Sequence, residues 1–476
     1  MTVTVAVLVG YLATLAALAI WSRKETHTLK GFYLAGKKLP YWVVAFSANA
    51  TGESGWLLLG LTGMGYAVGA QAYWVIVGEM IGIAASWGFI SRKLKRLSDD
   101  TDSITLPDVL AAKFDDRWHL IRGVAVAIIA VMVTTYVSAQ MVATGKAFSG
   151  FIGLDYRAGV IIGAVIIISY TFVGGYTAVS YTDVVQGVLM LAGLIAVPLV
   201  AINAAGGWGG MTATLREYDP GFVDMFSVLD GSTAGFVAAV SFAAIGLPFL
   251  GVPQMLIRYM SARDDTELKK ARIVSITVLF IFLFGAVTAG IAGRALFPGL
   301  EDSEQVFPTL ASELFPPLLT GVLFVIVLSA IMSTVDSLLL LASSSIVRDT
   351  MQKILGNPAS DATLAGYGKI VTVIIGVIAV FVAVYMAENK LIFWFVLFSW
   401  SGLGAAFGPV VLALLYDRRT TGAGVVAGML GGFVTSVVWV QFFKAGAYGL
   451  YEAIPGFTVA AVATVVVSRM TGEPRR

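Results

Sequence analysis

No cysteine occurs among the 476 residues, which excludes disulfides, thiolate metal sites and a cysteine nucleophile. Histidine is nearly missing too: His27 and His119 both fall outside the apolar stretches, so zinc sites and histidine-based catalysis are disfavoured. Charged residues make up 13% of the chain, against roughly 25% in soluble domains. The formal net charge of +2 argues against nucleic acid as a partner. What is abundant is hydrophobic side chain, 58% of the residues, where soluble chains have roughly 45–50%. The composition is that of an all-α polytopic membrane protein.

Apolar windows long enough to cross a bilayer fall at 2–21, 41–69, 71–91, 120–146, 158–175, 180–204, 234–255, 271–297, 316–347, 366–387, 391–415, 421–442 and 455–470. They predict about thirteen transmembrane helices. The first lacks a basic leader and a small-residue cleavage site, so a retained helix is expected rather than a signal peptide. An odd number of crossings puts the termini on opposite sides. With the N-terminus outside, the groups that face the cytoplasm are Arg23, Lys24, Lys37 and Lys38; Arg92, Lys93, Lys95 and Arg96; Arg258, Arg263, Lys269, Lys270 and Arg272; Arg348 and Lys353; Arg418 and Arg419; Arg475 and Arg476. Only Lys146, Arg157, Arg216, Arg294, Lys390 and Lys444 remain outside. That asymmetry follows the positive-inside rule and predicts a cytoplasmic C-terminus in a cell (inner) membrane. The acidic 299–315 connection is expected outside. The amphipathic Ser103–His119 segment is expected along the cytoplasmic face, with an ordinary solvated loop as the alternative for both.

The second window is interrupted by S-A-N-A-T-G-E-S-G-W, Ser47 to Trp56. Broken backbone at this depth is tolerated only where it lines a binding site or water. Gly52 and Gly55 weaken the helix, and Asn49, Thr51, Glu53 and Ser54 supply oxygens. Five windows later Ile245 to Gln254 reads I-G-L-P-F-L-G-V-P-Q, where Gly246, Pro248, Gly251 and Pro253 withdraw helix support. Two breaks at matching places in two groups of five helices are the trace of an inverted repeat with its site between them. Two unrelated kinks are the alternative. The chain then reads as one transporter domain: a leading helix and linker over 1–40, a first repeat over 41–204, a second over 234–415 and two trailing helices over 421–476.

The ninth window holds S-A-I-M-S-T-V-D-S, Ser329 to Ser337. Helical spacing lets the Ala330 carbonyl and the Ser333 and Thr334 hydroxyls face one neighbour. Hard, neutral oxygens suit a monovalent cation such as sodium; ordinary packing and bonding to the i−4 carbonyl are the competing reading. Asp183 and Asp336 are acids within or at the mouth of apolar windows, where an ionisable group is a functional candidate; Asp183 could otherwise cap its helix. Glu53 is a third acid. Glu79, a fourth, has no motif and is expected to pair with a basic residue.

The runs S-G-W-L-L-L-G-L-T-G (54–63), S-I-T-L-P-D (103–108), Y-T-F-V-G-G-Y-T-A-V-S-Y-T-D-V-V-Q (170–186), G-V-P-Q-M-L-I-R-Y-M (251–260) and M-S-T-V-D-S (332–337) resemble the sodium:solute symporter family, most closely its sodium/proline branch. The resemblance implies a LeuT-like core with broken first and sixth core helices, alternating access, and no enzyme activity. It implies one sodium held by the carbonyls of Ala50, Glu53 and Ala330 and the hydroxyls of Ser333 and Thr334. Asp183, Asp336 and Ser337, with Ser333, are the candidates for a second sodium. Matching positions for the solute are Ser54, Gly55, Trp56, Tyr136, Gln140 and Phe249. A small zwitterion suits these residues, its carboxylate at free helix N–H groups and its apolar part on the aromatic rings.

The sequence departs from that branch in three places. Gly52 stands where an aspartate is usual, with Glu53 at a normally apolar neighbour, and Ile245 and Phe249 replace a Trp and a Tyr. Glu53 is expected to take over the displaced charge, by assisting sodium or by taking up a proton. The expected activity is sodium-coupled uptake of proline or a related amino acid. The alternatives are sodium- or proton-coupled uptake of a sugar or short carboxylate, and a solute sensor without flux. The expected partners are sodium, a small solute and the bilayer.

Overall fold

A computed structural model of the chain describes residues 2–21, 28–114, 116, 118–171, 175–385 and 391–472. His27, Arg23, Lys24, Lys390, Arg475, Arg476 and the 172–174 part of one family motif lie outside them. Among the described residues the secondary structure is helical, apart from a single bridge between Leu39 and Ala262. Eight helices position the site: α1 (Tyr41–Gly55), α2 (Tyr73–Ala85), α3 (Leu120–Ile152), α4 (Tyr176–Ala204), α5 (Pro253–Ser261), α6 (Asp265–Leu296), α7 (Pro317–Ser344) and α8 (Ile392–Tyr416).

Eleven helices among the described residues are long and apolar enough to cross a membrane, against thirteen windows in the sequence. The difference falls at two places. Tyr156–Ser169 is a shorter apolar helix, and Tyr41–Asp100 is one continuous helical stretch. That stretch doubles back. The Tyr41 amide donates to Glu267 (2.5 Å) and Arg96 Nε to Asp265 (2.8 Å), both at the start of α6, whereas the Tyr66 hydroxyl donates to the Phe297 carbonyl (2.7 Å) just beyond its end. The turn between the two passes is at Gly69–Ala72, where Gly69 has φ 62°.

Both breaks are present. In the first, Ser54 has φ 52° and ψ −170°, after which Trp56–Leu61 continues as a wider helical turn. A serine in this region is strained by about 1–3 kcal/mol, so its surroundings must hold it there. In the second, a tight helix at Ala244–Leu250 contains Pro248, and Val252 is extended ahead of α5. This segment is gripped on two sides by close backbone approach. A Cβ added at Gly82 would sit 2.0 Å from the Gly246 carbonyl oxygen, and one at Gly404 would sit 2.3 Å from Pro248 Cα. Small residues permit helices to touch this closely in a membrane.

The two loops are not simple solvated connections. Glu304, in the acidic 299–315 connection, is buried, accepts from Lys146 Nζ (2.7 Å) and from the Phe393 amide (2.9 Å). Burial raises its carboxyl above the usual range, and Lys146 opposes that rise. Leu106–Lys113, in the segment expected along the cytoplasmic face, buries Leu106 to Ala111. Its Asp108 binds Arg122 at 2.8 Å, and Arg122 also reaches Asp349.

Candidate functional site

The first break meets α7. Ser333 Oγ lies 2.8 Å from the Ala50 carbonyl and 3.0 Å from the Ala330 carbonyl, and Thr334 Oγ1 lies 3.0 Å from the Thr51 carbonyl. Ala50, Ala330, Ser333 and Thr334 are all fully buried. Four of the five residues read from the sequence as sodium ligands therefore converge, and Thr51 joins them through its carbonyl. The fifth, the Glu53 carbonyl, accepts the Trp56 N–H across the break. The converging groups are neutral oxygens, which fit a weakly charged hard cation and not a divalent one. No cluster of acids and histidines suited to a multivalent metal exists among the described residues.

On its other side the break is held by α3. Gln140 Oε1 accepts the Gly55 amide (3.0 Å), and its Nε2 donates to Ser54 Oγ (3.3 Å), which also accepts the Trp56 amide (3.1 Å). One side-chain amide thus replaces the backbone bonds that the strained Ser54 forfeits. Aromatic rings close the space around it. Trp56 stacks on Phe393 at 5.4 Å, and Tyr136 and Phe249 both set their edges against Trp400, at 6.4 and 5.0 Å. Trp400 Nε1 donates to the Ile245 carbonyl in the second break (3.3 Å). The six solute residues read from the sequence therefore flank both breaks. Phe393 and Trp400 on α8 complete the aromatic wall and were missed; the only signal was the aromatic density of I-F-W-F-V-L-F-S-W (392–400).

Several buried polar atoms at the breaks have no partner among the described residues: Glu53 Oε2, Glu79 Oε2, Trp56 Nε1 and both atoms of the Gln254 side-chain amide. Buried polar groups are normally satisfied, so unsatisfied ones grouped around broken helices mark a place for a polar ligand. Glu79 does not pair with a basic residue as expected. Among the described residues it forms no ion pair, and its electrostatic neighbour is Glu53.

Asp183 is eight residues into α4 and so does not cap it. Its Oδ2 accepts from Ser47 (2.6 Å) and from Arg258 Nη2 (3.3 Å). Arg258, counted by sequence among the cytoplasmic charges, is only 1% exposed. Its Nη2 also donates to Thr51 Oγ1 (2.7 Å) and to Ser337 Oγ, its Nε to Ser47 Oγ (3.2 Å) and its Nη1 to the Gln254 carbonyl (3.0 Å). Asp183 and Ser337 are thus brought together, around a guanidinium. Asp336 turns away and accepts from Thr171 instead, because consecutive residues on a helix point about 100° apart.

Comparison with known proteins adds a second line of argument. Residues 32–432 match the sodium:solute symporter family. The chain is 36% identical over 463 residues to the high-affinity proline transporter PutP of Bacillus subtilis (strain 168), covering 96% of each. It is 35% identical to a sodium/proline symporter of Staphylococcus aureus, covering 98% of this chain and 92% of that one. Among solved structures, a Na+-coupled sialic acid symporter in a substrate-bound outward-open state superposes with a TM-score of 0.84 at 18% identity, over 99% of both chains. Mhp1, a nucleobase-cation-symport-1 family transporter, gives 0.56 at 12% identity, over 94% of this chain and 96% of that one. These two likenesses establish the fold.

Proposed function

The chain belongs to the sodium:solute symporter family, and on that footing we propose that its sodium-coupled cargo is proline, carried between the two broken helices. The observation that carries this reading is the convergence of the Ser333 hydroxyl with the Ala50 and Ala330 carbonyls at 2.8 and 3.0 Å. A sodium ion seated there takes the oxygens that the hydroxyl protons now occupy and bridges α7 to the broken helix. The solute carboxylate then has the sodium's positive charge at one end, and the apolar ring has Trp56, Tyr136, Phe249 and Trp400 at the other.

Coupling follows from what each ligand needs. Sodium and solute both bind to the α1 break, so each stabilises the geometry required by the other, and the linkage is reciprocal. The relatives' names speak of proline, and the aromatic side chains around the break supply apolar faces for its ring. The N-terminus lies outside and the C-terminus in the cytoplasm on this reading, supported by the distribution of Lys and Arg.

The test is uptake of labelled proline into proteoliposomes under an imposed inward sodium gradient. Accumulation that collapses when sodium is replaced by potassium is the expected result. Sodium-driven accumulation of a sugar or a short carboxylate, with none of proline, would reassign the cargo and leave the symport intact.

A further inference from the structure

Arg258 is a full positive charge carried into the protein interior by α5, the short inner half of the second broken helix. Such a charge is retained in a membrane protein only with a partner and a use. Its Nη2 has two hydrogens, yet three oxygens from three different helices lie in hydrogen-bonding reach: Thr51 on α1, Asp183 on α4 and Ser337 on α7. Ser47 binds the neighbouring Nε at 3.2 Å. One carboxylate and three hydroxyls crowded on one positive centre are the ligand set of a monovalent cation. In addition, Asp183 Oδ1 is buried without a partner among the described residues. The Tyr176 ring lies 5.1 Å from the guanidinium carbon and covers the remaining face.

We propose that Arg258 is a built-in cation that occupies the second cation position, so that the carrier binds a single sodium while the guanidinium is seated among Asp183, Ser47, Thr51 and Ser337. The proposal rests on the sodium reading of the Ala50–Ser333 site. It assigns Arg258 a definite role in the cycle. With α5 in place, the guanidinium ties α1, α4 and α7 together below the first sodium and satisfies Asp183. The extended Val252 ahead of Pro253 is the joint about which α5 can withdraw. Withdrawal uncovers a carboxylate and three hydroxyls beside the first site, which gives the departing sodium its next set of oxygens.

The experiment is a sodium titration of the purified, detergent-solubilised protein, read as thermal stabilisation and as intrinsic tryptophan fluorescence, with no solute required. The wild type is expected to follow a single-site curve with a Hill coefficient of one. Arg258→Gln frees the ligand set and is expected to give two-site behaviour, with the stabilisation per tenfold rise in sodium growing to the increment of two bound ions. Combining Arg258→Gln with Asp183→Asn is expected to restore the single-site curve, and Arg258→Lys, which keeps the tethered charge, is expected to retain it. A single-site curve of unchanged midpoint in Arg258→Gln overturns the proposal. So does two-site binding by the wild type, which needs no variant to fold. A complete lack of response to sodium in the wild type, alongside a cooperative melt, would instead remove the sodium site on which the proposal stands.

Discussion

Ser333 is the residue on which the ion site turns, since its one hydroxyl meets carbonyls from two helices. Removing an oxygen that contacts an ion costs about 1.5–3 kcal/mol, or roughly ten- to a hundredfold in affinity. Ser333→Ala is therefore expected to raise the sodium concentration for half-maximal uptake by that factor, with the maximal rate recoverable at high sodium. Gln140 is different because it serves the break and not the ion. Gln140→Leu leaves the Gly55 amide and Ser54 Oγ without their partner, at about 1–3 kcal/mol, and the proline KM is expected to rise roughly five- to a hundredfold. Glu53→Gln, which removes the charge that stands beside the usual aspartate position, is expected to weaken the apparent affinity for sodium; unchanged sodium dependence of uptake would show its carboxylate to be idle. At this scale helical spacing was readable: the Ser333 and Thr334 hydroxyls do face one neighbour, meeting the Ala50 and Thr51 carbonyls. Arg258 was not readable, because a basic residue at the end of an apolar window looks the same whether it points to water or folds back into the protein. Trp400 and Phe393 were hidden for another reason: an aromatic in an apolar helix gives no sign of which side faces a site.

Among the elements, the second break is the most constrained. Glycine at position 82 leaves no room for a side chain against the Gly246 carbonyl, where an added Cβ would lie 2.0 Å from the oxygen. Gly82→Val must push two backbones apart, at about 1–3 kcal/mol or more. The expected outcome is a lower melting temperature together with loss of proline uptake, measured on the same preparation. The C-terminal helices offer a milder case. Asp417 binds Arg469 at 2.7 Å, and the Arg419 backbone N–H, followed by Arg469, holds its carboxyl below the usual range. A carboxylate depressed in the folded state contributes stability that is present at neutral pH and is lost as the pH falls through and below the usual carboxylate range. Asp417→Asn is expected to lower the melting temperature slightly at neutral pH, the difference from wild type shrinking as the pH falls through and below the usual carboxylate range. Element positions were largely legible from apolar length alone. The loops were not: the burial of Glu304 and of Leu106 to Ala111 depends on partners far along the chain, Lys146 and Arg122, that local polarity cannot reveal.

For the whole molecule, the lack of native cysteine makes topology directly measurable. Glu301→Cys and Lys353→Cys each introduce one thiol into an unreactive background. An impermeant maleimide applied to intact cells is expected to label the first and spare the second until the membrane is opened; the reverse pattern would invert the orientation read from Lys and Arg. The fold at this scale was foreshadowed by two breaks five helices apart, and the 0.84 TM-score to a Na+-coupled sialic acid symporter agrees. The windows at 41–69 and 71–91 correspond to the two passes of the Tyr41–Asp100 stretch, whereas the window at 158–175 meets a shorter helix, Tyr156–Ser169.

The seating of Arg258 has an electrical consequence. A guanidinium fastened to a moving helix cannot diffuse away, so any displacement of α5 along the membrane normal carries charge through the transmembrane field. A whole elementary charge crossing the full field is worth about 2.3 kcal/mol per 100 mV, and a shift of about a tenth of the membrane is worth roughly 0.2. The resting potential thus biases α5 even when no ion is bound. A small capacitive current without sodium, present in the wild type and reduced in Arg258→Gln, would be its signature.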